Sequence, residues 1–465
     1  MRKTLIACAL TLALTACDRG ATPPDAGAAV TPVAAASQAD IAAETERLNT
    51  WFEKKYEEQL QFSPIQLTFQ GRKDHYGKID DLSEKATLDQ VAWQKASVEE
   101  MEKTFDYAKL SDEAKLSYDL WKLQYENARD GVPFMVDGYA FDQMNGAQSF
   151  LPTLLINFHK VDEESDYTAY ISRLNASARG LDQLLEQARK SAAQGVRPPK
   201  FAYEGVIDQS RKVITGAPFT DGPDSAIWAD AQAKADALVK SGKITAERAT
   251  ELKEEARTAL LEQFKPAYER VIAWAQEDLP NSPVNATGVG TTHANGKAYY
   301  EYQLRQMTTT DMTADQIHEL GLKEVDRIKG EMTALKDKVG FKGDLDAFFT
   351  FIDTDPQFNF PNTDEGRKAY IDEASSKIAN IKKELPNYFG LLPKADLEVK
   401  RVEAFREQPG AAQHYYPGTP DGSRPGTYYA HLSDMSAMPK PELEVIAYHE
   451  GLPGHHMQIS IAQEL

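Results

Sequence analysis

Two cysteines in 465 residues leave little room for thiol chemistry. Cys8 lies inside the apolar run LIACALTLAL and Cys17 just beyond it, so a mature chain would keep no cysteine pair. A disulfide framework and a cysteine nucleophile are both excluded on that basis. Basic charge is also scarce. Lys and Arg number 52 against 71 Asp and Glu, giving a net charge of −19, and no basic cluster follows the first few residues. Phosphate backbones call for the opposite balance, so nucleic acid is excluded as a partner. The one long apolar run, after Met1-Arg2-Lys3, is too short for a stable membrane span. No G-x-S-x-G elbow, Walker loop or dinucleotide fingerprint occurs, and no repeat of fixed period. What remains is a chain with 42% hydrophobic and 26% charged residues, enough for a sizeable core.

The N-terminus carries the first positive signal. A basic start and a short apolar run end in Leu14-Thr15-Ala16-Cys17, a sequence that resembles the bacterial lipobox. Cleavage before Cys17 and acylation of its thiol would tether the chain to a membrane; the rival reading is a plain secretory signal with a stray cysteine. The expected location is the bacterial cell envelope, facing the periplasm. Asp18 directly after the cysteine points to the inner membrane. Residues 18–40, rich in Ala, Pro and Gly, read as a flexible tether.

Beyond the tether the pattern is helical. Ile41, Leu48, Phe52, Tyr56 and Leu60 fall on one face at steps of seven and four. SARGLDQLLEQARKSAAQG, ERATELKEEARTALLEQFKPAYERVIAWAQ and Asp364 to Leu385 repeat the pattern, the last closed by Pro386. Thr313 with Gln316 forms a capping box, followed by an apolar stripe of Ile317, Leu320, Ile328, Met332 and Leu335 with Val325 nearby. Two short aromatic runs predict strands, Tyr299 to Leu304 and residues 426–432. The expected fold is mainly α, two-lobed, with a small sheet. Its lobes are 41–290 and 291–465, divided at the Pro/Gly/Asn-rich stretch 279–290.

The chemistry concentrates in AYHEGLPGHHMQ, residues 447–458. His449 and Glu450 stand together, as in the H-E-x-x-H helix of zinc proteases, but the next histidines, His455 and His456, come six and seven residues on rather than four. A straight helix cannot converge either pair: seven residues separate them by about 10.5 Å along the axis, and six rotate them by roughly 120°. Gly451, Pro453 and Gly454 supply the remedy, since this trio permits a bulge between Leu452 and His455. His449 and one of the paired histidines would then hold Zn²⁺, with Glu450 as the base that takes a proton from the attacking water. His455 needs the smaller bulge, and His456 is left as the alternative ligand or a substrate contact.

HEGLPGHHMQ resembles the H-E-x-x-P-G-H-H-x-Q signature of the bacterial domain-of-unknown-function 885 family. YYEYQLRQMTTTDMTADQIHELGLKEVDRIKGEM resembles that family's middle motif, and DGSRPGTYYAHL the segment before its histidine helix. The family is grouped with zinc metallopeptidases of the gluzincin type and is mostly helical and often lipid-anchored. The resemblance implies a zinc-dependent hydrolase of peptide bonds, with His449 and one of His455 and His456 as ligands and Glu450 as base. It also implies a third ligand, a glutamate on a downstream helix that the chain does not contain, which makes it look like a truncated family member. Glu464, about 12 Å beyond His456 along a continuing helix, is a poor substitute. The competing expectation is a non-catalytic envelope lipoprotein that keeps the fold and binds a peptide or a partner protein.

In gluzincin-like enzymes a strand beside the histidine helix runs along the substrate. Tyr428 or Tyr429 could therefore face the site and steady an oxyanion, with His431 on the same face as Tyr429; aromatic packing on a half-buried sheet explains them equally. Arg424 could hold a substrate carboxylate, an exposed turn arginine being the plainer account. His318, Glu324, His414, Tyr415 and Tyr416 lie near these motifs in sequence without a pattern of their own.

Overall fold

The computed structural model describes residues 36–465; the expectations for Cys17, the leader and residues 18–35 lie outside them. Ten helices form the first half: α1 Gln38–Leu60, α2 Pro64–Phe69, α3 Glu84–Thr104, α4 Asp112–Gly131, α5 Ala147–Thr153, α6 Glu164–Ala193, α7 Lys200–Val213, α8 Ala226–Lys240, α9 Ala246–Ala259 and α10 Lys265–Asp278. Then follow α11 Gly296–Thr308, α12 Ala314–Lys338, α13 Leu345–Thr354 and α14 Asp364–Glu384. Strands β1 Leu397–Arg401, β2 His414–Tyr416 and β3 Gly426–Ala430 precede α15 Lys440–Glu450 and α16 His455–Glu464. With 66% helix and 3% strand, the fold rests on helix faces. No helix among the described residues is long and apolar enough to cross a membrane.

Side-chain caps start many of these helices. Ser37, Ser83, Ser111, Ser225, Thr245 and Thr363 each accept a backbone N–H of the first turn, and Thr313 closes its capping box with Gln316. Three apolar clusters result. The largest joins α5 to α10 around Tyr167, Tyr170, Leu174, Phe264 and Tyr268. A second packs α14, the sheet, α15 and α16 around Tyr370, Tyr428, Leu443 and Ala447. A third unites α1, α3 and α4 around Leu48, Trp51 and Met101. Phe405 belongs to the first cluster although it lies in the loop between β1 and β2, so the sheet is anchored on the N-terminal helices.

Two details depart from the periodicity. The aromatic run Tyr299 to Leu304 is not a strand but the middle of α11. Tyr299, Tyr302 and Gln306 stand three and four residues apart, which is helical spacing. The two tyrosine rings meet Phe134, while Tyr302 Oη donates to Asn127 O at 3.2 Å and Gln306 Nε2 to Asn127 Oδ1 at 3.1 Å. In α1 the buried face is Leu48, Trp51, Lys55 and Leu60, and Tyr56 points outward. Trp51 wins that position because its Nε1 donates to Glu100 Oε1 at 2.7 Å and its ring joins Phe52, Phe105 and Trp121. The tether boundary also moves: α1 begins at Gln38, inside the expected flexible stretch.

The sheet has the order β1-β3-β2, with β1 parallel and β2 antiparallel to β3. Tyr428 is opposite Val399 on one side and Tyr415 on the other; Tyr429 is opposite Lys400 and His414. Every residue of β3 is buried. On α12 the stripe Leu320, Val325, Ile328, Met332 and Leu335 is exposed.

Candidate metal centre

α15 buries Leu443, Ala447 and Glu450 at steps of four and three, which leaves His449 on its outer face. The helix ends at Glu450. Gly451 N–H still donates to Ala447 O at 2.9 Å, then Gly454 N–H reaches back to Tyr448 O at 3.0 Å. α16 restarts at His455, with Gln458 N–H on Gly454 O at 3.0 Å. The expected bulge in one helix is therefore a full break between two. Gly454 is pressed so close to the carbonyl oxygens of His449 and Tyr448 that a Cβ would overlap both, and Pro453 has no N–H to continue the ladder.

The break brings His449 and His455 together. Their ring centroids are 4.6 Å apart with planes at 83°, and one ligand atom from each of His449, Glu450 and His455 lies within 4.8 Å of the other two. Two nitrogens bound to one tetrahedral zinc stand about 3.4 Å apart. His449 is exposed, His455 half-buried and Glu450 only 6% exposed. Glu450 Oε2 is buried without a hydrogen-bond partner. Burial pushes the Glu450 carboxyl up, and the two imidazoles pull it back down. A buried carboxylate with a vacant oxygen beside two imidazoles is a donor set that suits a divalent cation.

His456 stands apart from this group. Its Nε2 donates to Ala395 O at 2.9 Å, so its Nδ1 is the acceptor for Tyr415 Oη at 3.0 Å. Both nitrogens are occupied and the ring is 1% exposed, so it is His455, not its neighbour, that stands beside His449 and Glu450. Glu464 is also engaged elsewhere: its carboxylate accepts the backbone N–H groups of Lys394 at 2.8 Å and Ala395 at 3.3 Å.

β3 sends its tyrosines in opposite directions. Tyr428 lies fully buried toward α14 and α15, its Oη 3.0 Å from Tyr370 Oη. Burial raises the pKa of both hydroxyls, and the Glu450 charge adds to the rise. Tyr428 is thus a wall behind Glu450 rather than a surface for substrate. Tyr429 and His431 face away from Glu450, toward the N-terminal helices. Tyr429 stacks on His414 at 5.3 Å, and the Arg406 guanidinium sits 4.8 Å over its ring. The expectation that Tyr429 and His431 act beside Glu450 is therefore not met by their position.

Arg424 is not an exposed turn residue. Its Nη2 donates to Phe69 O at 2.8 Å and Pro417 O at 3.3 Å, and its guanidinium lies 4.9 Å from the Phe158 ring centre. It closes the C-terminal end of α2 and ties the β2–β3 turn to that helix. His318 and Glu324 lie exposed on α12, with Glu324 paired to Arg327 at 2.8 Å. Tyr370 and Arg406 were not legible as site residues: one is an ordinary aromatic on an amphipathic helix, the other a lone loop arginine.

No curated protein matches the chain. Among solved structures, a protein described as "the putative lipoprotein from Colwellia psychrerythraea" superposes with a TM-score of 0.75 at 21% identity, over 90% of this chain and 72% of that one. At that identity the likeness concerns the fold. The family model described as "Bacterial protein of unknown function (DUF885)" matches residues 64–465, and the chain belongs to that family.

Proposed function

We propose that the protein is a zinc-dependent hydrolase of peptide bonds, held at the bacterial cell envelope by a lipid on Cys17. The observation that carries this reading is the convergence of His449, His455 and Glu450 across the Gly451–Gly454 break. His449 and His455 would hold the ion, each through a neutral imidazole nitrogen. When bound, zinc supplies Lewis acidity to a carbonyl and acidifies water. Glu450 performs the proton work. Its unpartnered Oε2 accepts the proton of the attacking water, and the raised affinity that burial gives it for that proton lets it keep the proton until the leaving amine takes it. Tyr428 and Tyr370 close the rear of the carboxylate to bulk water.

The family's description assigns no function, so activity must be measured directly. Zinc content and cleavage of a fluorogenic peptide library are measured for the purified chain and for Glu450→Gln. Zinc-dependent cleavage that disappears in the variant supports the reading. A chain that binds peptides but cleaves none, with zinc bound, would mark a binding lipoprotein instead. The anchor is tested separately by labelling with a radioactive fatty acid, which Cys17→Ala should abolish.

A further inference from the structure

The outer face of β3 opens on a second compartment that the proposed hydrolytic step leaves unused. A cavity of about 410 Å³ lies between the β2 edge and helices α5 and α7, lined among others by Arg406, His414, His431, Gln413, Asn145 and Ser149. No acidic side chain lines it, although the chain as a whole carries −19.

The hydrogen bonds in its walls fix which groups can donate. Arg406 has only donors, so its Nη1, 2.9 Å from His414 Nε2, makes that nitrogen an acceptor. The Nε of Arg406 donates to Glu403 Oε2 at 2.5 Å, and its Nη2 is buried without a partner. His431 is 7% exposed, and its Nδ1 accepts the backbone N–H of Gln408 at 3.1 Å. The proton of neutral His431 therefore sits on Nε2, which meets no acceptor among the described residues. Burial and the Arg406 charge hold His431 down at about 4 and His414 at about 3, so both rings are neutral at pH 7. One buried donor without an acceptor, Arg406 Nη2, and one further donor with none among the described residues, His431 Nε2, thus belong to residues of one cavity wall.

We propose that this cavity binds a carboxylate of a peptide through His431 and Arg406. Glu403 cancels part of the Arg406 charge, so the site suits a singly charged carboxylate better than a phosphate dianion. One wall residue of the cavity also touches the packing behind the metal centre. Gln413, at its edge, places Nε2 3.4 Å from Tyr370 Oη, and Tyr370 is the partner of Tyr428 behind Glu450. This assignment rests on the reading of the histidine pair as acting on peptides, and it names their chemistry: short peptides with a free C-terminus or an acidic side chain.

Binding rather than turnover provides the test, so that a failure here is separable from a failure of the peptidase reading. Calorimetry with the zinc-loaded Glu450→Gln protein compares Ala-Ala-Ala, its C-terminal amide, and the amide of Ala-Asp-Ala. The free acid should bind at least about tenfold tighter than Ala-Ala-Ala amide. Tight binding of the Asp-containing amide would show that a side-chain carboxylate also serves. The preference should vanish in His431→Ala and shrink in Arg406→Lys, whose ammonium lacks the planar fork, both checked for unchanged thermal unfolding. Equal affinity for acid and amide overturns the proposal, and so does a preference that a folded His431→Ala protein retains.

Discussion

Gly454 lies so close to the carbonyl oxygen of His449 that a Cβ there would overlap it, so the turn that places His455 beside His449 closes with glycine at this position. A methyl group there has no room. Gly454→Ala should separate α15 from α16, cost about 2–4 kcal/mol by overpacking and backbone strain, and weaken zinc binding. Urea unfolding together with a zinc titration measures both effects.

The two adjacent histidines should behave differently. His455→Ala should remove one stoichiometric zinc, read by metal analysis, with little change in the unfolding of the metal-free protein. His456→Ala should keep the zinc but lower stability by about 2–4 kcal/mol, because it leaves Ala395 O and Tyr415 Oη without partners and opens a cavity in a full core. Reversed results would move the metal to His456.

Removing the metal gives a third check. A ligand bound only by the folded chain stabilises it by about 2.7 kcal/mol at a hundredfold excess over its Kd. Added Zn²⁺ should therefore raise Tm, and a chelator should return it to the value of the His455→Ala protein. Glu450→Gln should retain the zinc-induced rise while losing at least about a hundredfold in cleavage rate.

Stability should fall in acid through His159. Its ring is 1% exposed, its Nε2 donates to Asp166 O at 2.9 Å, and its Nδ1 accepts from Arg173 at 3.0 Å. Burial holds its pKa down at about 3, below the roughly 6.5 of an unfolded histidine. Between those values the unfolded chain binds the extra proton, so the stabilisation is complete above about pH 6.5 and is lost as the pH drops toward 3. His159→Gln should flatten the dependence of urea midpoint on pH across that window.

The site was more legible in the sequence than the walls around it. His449 and Glu450 stand out by their likeness to the H-E-x-x-H helix, and helix geometry calls for a bulge between Leu452 and His455; the structure breaks the helix outright there and so brings His449 and His455 together. That His456 turns away from His449 depends on Ala395 and Tyr415, which are distant in sequence, and no local pattern reports them. Alternation along β3 showed that Tyr428 and Tyr429 face opposite ways; which of them lies behind Glu450 was decided by the packing of Tyr370. The Thr313 capping box held because it is local. The Tyr299 to Leu304 run misled because strand preference of aromatics yields to whatever surface the rings meet, here Phe134 on the preceding helical segment.

Register along β3 has a further consequence. Since alternate residues of this strand serve unlike chambers, inserting a single amino acid between Gly426 and Tyr428 would exchange their occupants. A phenol that now shields a carboxylate would be thrust beside the Arg406 guanidinium, and its neighbour would take its place. The strand is clasped on both edges by β1 and β2, so it cannot slide alone to repair the error. Length variation in this family should accordingly be tolerated in the turns that flank β3 and excluded from the five residues themselves.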